Sequence, residues 1–230
     1  MSWMRPRICE GQLAIMLLTR LPAGRLGYDV PKLASAVWFF PSVGIPIGLL
    51  VGLSYIGMCY LGILPTLASI LAFSIGLIVT GAMHEDGLAD CADGFGGGQS
   101  KNQKLEIMRD SRIGSFGVLA LFFIVSARIV SLSNLPPNQE VLFAVIALAM
   151  ISRLVMVFYL TFLSPARDEG LGRDASKPEV GALVISVITC IPIIFICGSY
   201  MISCVAIIAI IAFLFGLSLI HISEPTRPSV

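Results

Sequence analysis

Six stretches of this chain stay apolar for about the ~20 residues that a helix needs to cross a bilayer's hydrocarbon core. They are residues 36–61, 67–83, 115–134, 141–163, 180–198 and 201–220. Such runs leave few alternatives to a membrane fold, and the composition agrees. The sequence is 57% hydrophobic and 13% charged, with a mean hydropathy of +0.92. That charge is too sparse to wrap a water-soluble globule. The runs also lack the strict alternation of barrel strands. The expected fold is all-α, a polytopic transmembrane helical bundle of about six spans. A short N-terminal interfacial helix is expected at 10–20. A net charge of +1 gives no field to draw nucleic acid, so no nucleic-acid partner is expected. No cleavable signal peptide is expected, because the apolar stretch after Arg5 and Arg7 is short and meets Arg20 and Pro22. The six cysteines form no CxxC pair and lie mostly within apolar runs, where they read as small buried hydrophobes.

The connections between runs are of two kinds. Residues 62–66, 135–140 and 199–200 are short and contain no Lys or Arg, whereas 1–35, 84–114 and 164–179 are longer and charged. The two kinds alternate along the six runs, so the positive-inside rule puts every charged segment on the cytoplasmic face. Gly44, Gly48 and Gly52 recur every fourth residue in the first run, a spacing that lets helices approach closely. Pro41, Pro46 and Pro192 mark places where helices can kink. Two arginines fall inside runs. Arg153 is central and either lines a substrate cavity or neutralises a buried carboxylate; Arg128 is nearer an end and is read as structural, snorkelling to water. Residues 221–230 break the pattern abruptly and are read as an artefactual tail outside the fold.

The chemistry concentrates in residues 84–117, HEDGLADCADGFGGGQSKNQKLEIMRDSRIGSFG. Asp86, Asp90 and Asp93 are spaced i, i+4, i+7, so a helix continuing from the preceding run puts three carboxylates on one face. Their repulsion becomes attraction around a divalent cation. Magnesium suits this set, since it prefers hard oxygen ligands and bridges carboxylates to substrate phosphates. Glu85 and Glu106 stand ready as further ligands or supporting contacts. Gly94 and Gly96-Gly97-Gly98 allow tight turns and a close backbone approach to a ligand. Arg109 and Arg112, beside Asp110, suit a phosphate that bridges metal and protein. A plain solvated loop is the blander reading. A zinc site is poorer, because His84-Glu85 lacks the second histidine of HExxH and Cys91 has no partner at ligand spacing. There is no Walker A sequence.

At these residues the chain resembles the cobalamin synthase, or adenosylcobinamide-GDP ribazoletransferase, family. The matching pattern is His84-Glu85-Asp86-Gly87-Leu88-Ala89-Asp90, Asp93-Gly94, the run from Leu105 to Gly114, and Gly117. Further landmarks are Thr19-Arg20-Leu21-Pro22, Phe40-Pro41 with Gly44, Ser152-Arg153, and Glu169-Gly170-Leu171-Gly172. The resemblance covers residues from about 10 to 216. It implies a magnesium enzyme that transfers the cobinamide phosphate of adenosylcobinamide-GDP to α-ribazole or its 5′-phosphate. The products are adenosylcobalamin or its 5′-phosphate, and GMP. Residues 1–220 are then one integral-membrane catalytic domain in a bacterial or archaeal cytoplasmic (inner) membrane. The family usually adds a segment resembling GGxTGDxLGA and a last hydrophobic helix, so the domain is expected to be C-terminally truncated relative to it. In the implied site Asp86, Asp90 and Asp93 hold magnesium with Glu85, and Asp93 or Asp110 serves as general base. Arg109 and Arg112 grip the guanylyl phosphates, Gly96 and Gly97 meet the nucleotide, and Arg153 contacts substrate. The expected partners are the two substrates and the lipid bilayer, with homo-oligomer formation left open. A CDP-alcohol-type membrane phosphotransferase, a transporter and a non-catalytic scaffold are the competing classes.

Overall fold

The computed structural model describes residues 4–27 and 30–198. The sixth expected span, 201–220, and the tail 221–230 lie outside them. The described residues are helical, joined by turns and loops, with no strand among them.

Helix α1, Met4–Leu18, starts earlier than the interfacial helix expected at 10–20. It joins the core, because Ala14 and Leu18 pack with Val37, Phe40, Val43 and Val157. Its buried Glu10 accepts from Trp38 Nε1 at 2.8 Å and from Arg7 Nη1 at 3.0 Å. The first span, Leu33–Tyr60, comprises a short α2 (Leu33–Ala36), a 3-10 turn (Val37–Phe39) and α3 (Phe40–Tyr60). Helix α4, Pro65–Thr80, returns against α3. Next come α5 (Met83–Gly97), α6 (Lys101–Ile107), α7 (Ser115–Ser133), α8 (Gln139–Phe162), α9 (Leu171–Asp174) and α10 (Val180–Gly198). Among the described residues four helices are long and apolar enough to cross a membrane: Leu33–Tyr60, Ser115–Ser133, Gln139–Phe162 and Val180–Gly198. The pair α4 and α5 qualifies only jointly, as a broken span or a re-entrant loop.

The glycine repeat does what its spacing suggests. A Cβ added at Gly44 would stand 2.6 Å from Met150 N, one at Gly48 2.5 Å from Ile146 Cα, and one at Gly52 2.7 Å from Leu142 Cδ1. The descending partner numbers make α3 and α8 antiparallel, with their backbones in direct apposition.

The acidic residues do not continue the helix before them, which corrects the expectation for 67–83. Helix α4 ends at Thr80, and the axis turns by 90° into α5. Gly81 (φ +67°) and Ala82 (φ +56°) are both left-handed at this corner. The landmark Thr19-Arg20 holds it from outside: Arg20 N donates to Val79 O at 2.7 Å, and the guanidinium lies over Gly81, where a Cβ would be 2.6 Å from Nε.

Candidate active site

Helix α5 runs antiparallel to the first part of α7 and is pinned to it at both ends. Near its N-terminus Glu85 pairs with Arg128 Nη1 at 2.7 Å, while the Arg128 guanidinium lies 5.3 Å from the Phe73 ring centre. Arg128 is thus structural, but through an ion pair in place of the expected snorkelling. At the other end Asp93, 8% exposed, accepts from Gly114 N at 2.7 Å and Gly117 N at 2.9 Å. These are orphan amides at the start of α7, and a carboxylate there also meets the positive end of the helix dipole. A Cβ at either glycine would collide with the Asp93 carboxylate, which explains glycine at 114 and 117.

Asp86 and Asp90 behave differently. Asp86 is exposed and Asp90 half-buried, and neither carboxylate has a hydrogen-bond partner among the described residues.

Asp90 opens onto a cleft between α5, α6, the end of α8 and the loop 163–176. The cleft has two chambers, of about 490 Å³ and 530 Å³, which share Leu105, Ala166, Arg167 and Glu169. One chamber contains Asp90 and is walled by apolar side chains such as Met108, Tyr159, Leu160 and Leu163. The other is the more polar of the two, with Asn102, Glu106, Arg109 and Asp168. Local structure fixes these walls. Ser100 and Gln103 form a capping box at the start of α6. Arg167 Nη2 donates to Leu105 O at 2.9 Å, tying the loop to α6. Arg173 Nη1 donates to Asp168 O and Oδ1, both at 3.0 Å, across Gly170 at φ +103°.

The sequence-derived site residues therefore separate. Asp90 and Arg109 line the cleft, and Asp86 lies one turn from Asp90 on the same helix. Arg112 and Asp110 are exposed, form a bidentate pair with a shortest contact of 2.7 Å, and line neither chamber. The Arg112 hydrogen bonds hold the Asp110 carboxyl below the usual range. Gly96 and Gly97 lie inside α5, where a Cβ at Gly96 would strike the Phe116 ring and one at Gly97 would stand 3.3 Å from Ile107 Cδ1. Their place is explained by packing, where a tight turn was expected. Arg153, 7% exposed, donates to Ala149 O at 3.2 Å and Ser152 Oγ at 2.9 Å, and lines neither chamber. Among the described residues no three His, Cys, Asp or Glu side chains gather into a metal-binding group. The sequence reading assigned no functional role to Arg167, to Glu169, which it held only as a landmark, or to the apolar wall. The signal was present, since Arg167 adjoins the landmark Glu169-Gly170-Leu171-Gly172.

Residues 11–224 match the family described as cobalamin-5-phosphate synthase. The adenosylcobinamide-GDP ribazoletransferase of Mesorhizobium japonicum is 38% identical over 183 residues, which is 79% of this chain and 71% of the relative. That of Azorhizobium caulinodans is 42% identical over 180 residues, 75% of this chain and 68% of the relative. That of Pseudoalteromonas atlantica is 41% identical over 169 residues, 73% and 61% respectively. No solved structure matches. The chain belongs to the cobalamin-5-phosphate synthase family.

Proposed function

We propose that this chain is an adenosylcobinamide-GDP ribazoletransferase. It moves the cobinamide phosphate group onto α-ribazole or its 5′-phosphate, giving adenosylcobalamin or its 5′-phosphate and releasing GMP. One observation beyond family membership carries the reading: the cleft brings Asp90 of the acidic helix together with Arg167, Arg109 and the Glu169–Gly172 loop. Phosphoryl transfer depends mostly on positioning and charge neutralisation, and these residues supply both signs of charge around one space.

Magnesium is the proposed cofactor, and the donor set fits it. Asp86 and Asp90 sit one turn apart without hydrogen-bond partners among the described residues. Magnesium is commonly held by one or two carboxylates with substrate phosphates and water, so a third protein ligand is not required. When bound, it would neutralise charge on the phosphate oxygens. Asp93 acts one step back, locking α5 to α7 and so fixing where Asp86 and Asp90 stand. Arg109 holds nucleotide phosphate from the polar chamber. We further propose that the protein lies in a bacterial or archaeal cytoplasmic membrane. The charged segments 84–114 and 164–179, which meet along the cleft, would then face the cytoplasm where both water-soluble substrates arise.

The test is GMP release from adenosylcobinamide-GDP by the purified full chain. It is expected only with both α-ribazole and Mg²⁺ present, and Asp90→Asn should remove it. Release that ignores α-ribazole, or no release with both, would overturn the assignment.

A further inference from the structure

The two chambers differ in chemistry and share a wall. The polar chamber offers Asn102, Glu106 and Arg109, groups suited to phosphates and to a base rich in donors and acceptors. The other has an apolar wall of Met108, Tyr159, Leu160 and Leu163, suited to an apolar ring system, facing Asp90, Arg167, Glu169 and Arg173. Arg167 belongs to both linings. Among the described residues one hydrogen bond, from Nη2 to Leu105 O at 2.9 Å, engages its side chain, and the other guanidinium donors are open to a ligand. It lines the same chamber as Asp90 and Cys91, so it stands within reach of the acidic helix.

Resting on the ribazoletransferase reading, we infer that the two chambers hold the two reactants separately and that Arg167, at their junction, binds the phosphate undergoing transfer. The guanosine end of the donor occupies the polar chamber. The aromatic base of α-ribazole occupies the apolar chamber beside Asp90. The corrin ring is too large for either and stays at the mouth. The transferred phosphorus is the one point that both reactants must reach, and the shared wall is the one place that both chambers reach. There the ribose hydroxyl oxygen of α-ribazole bonds to the cobinamide-bearing phosphorus. The bond from that phosphorus to the bridging oxygen breaks, GMP leaves with the oxygen and its electron pair, and the hydroxyl proton passes to water at the open mouth. Arg167 binds the equatorial oxygens through two donors at once, a geometry that lysine cannot copy.

Kinetics of the full chain with Arg167→Ala and Arg167→Lys test the phosphate role. The alanine variant is expected to lose roughly 100-fold or more in kcat, the usual effect of removing a donor aimed at developing charge. Its KM for α-ribazole should change little. Lysine keeps the positive charge without the paired donors, so it should recover only part of kcat. Full recovery with lysine would reduce Arg167 to a structural tie, and an alanine variant with wild-type kcat would remove it from the reaction. Cys91, on the wall of the apolar chamber, reports the occupants. α-Ribazole alone should slow its alkylation by a maleimide, read peptide by peptide in a mass spectrometer, and GMP alone should not. The reverse pattern would overturn the chamber assignment. A wild-type chain that releases no GMP under any condition would instead defeat the underlying transferase reading.

Discussion

Two helix pairs in this protein are closely packed by opposite means. Helices α3 and α8 meet through Gly44, Gly48 and Gly52, where removal of every Cβ lets one backbone lie on the other. Helices α5 and α7 are held by charge, with Asp93 on two backbone amides at one end and Glu85 on Arg128 at the other. A shape-matched pair needs no polar group and suits a helix surrounded by lipid. A pair pinned by charges at its ends leaves part of its polar surface uncommitted, and on α5 that surface carries Asp86 and Asp90. Scaffold and site thus use different forces, and substitutions should separate them.

The largest effect should come from the uncommitted acids. Asp90→Asn, nearly isosteric, is expected to lower GMP release by roughly 10²- to 10³-fold, as for loss of a group that stabilises transition-state charge. Circular dichroism and membrane insertion should stay unchanged; a collapse of the helical signal would make Asp90 a structural residue like Asp93. On the scaffold, Gly48→Ala forces a methyl group against the Ile146 backbone. It should cost about 1–3 kcal/mol, the usual range for overpacking. Denaturant titration of the purified chain would show this, and a neutral result would mean that α3 and α8 are not in direct apposition.

Asp93→Asn probes the polar lock. The amide can accept only one of the two backbone hydrogen bonds, so stability should fall by about 1–3 kcal/mol, the cost of an unsatisfied buried donor. Mg²⁺ uptake should persist, which distinguishes Asp93 from the two acids before it. The smallest effect belongs to Asp110→Asn. Because Arg112 depresses the folded-state Asp110 carboxyl, the pair adds stability above the ordinary carboxylate range and loses it as pH falls through the lower folded-state value. Thermal midpoints of variant and wild type should differ slightly at neutral pH and converge in acid. Both groups are exposed, so a large gap at neutral pH would contradict that placement.

The spans at 36–61, 115–134, 141–163 and 180–198 were legible because bilayer thickness fixes their length and lipid fixes their composition, whereas the run 67–83 forms a span only jointly with α5. The α3–α8 contact was half legible: the four-residue glycine period showed a close face, but nothing local named α8 as its partner. The site was legible as residue types and misleading as geometry. A spacing of i, i+4, i+7 places Asp86, Asp90 and Asp93 on one stripe, yet the stripe borders two neighbours. Asp93 meets amides 21 and 24 positions later in the chain, a pairing no local pattern reveals. The 90° corner was hidden for a different reason, since Ala82 is not a residue that advertises a left-handed conformation. Arg167 escaped notice because its importance comes from the cleft that α6 and the 163–176 loop form together.

Calorimetric titration of Mg²⁺, with GMP present, into the wild-type chain and its Asp86→Asn, Asp90→Asn and Asp110→Asn variants addresses the acidic helix most directly. Saturable uptake is expected for the wild type and Asp110→Asn, and loss of it for Asp86→Asn and Asp90→Asn. An absence of uptake by the wild type, or undiminished uptake by Asp90→Asn, would contradict a magnesium site on the free face of α5.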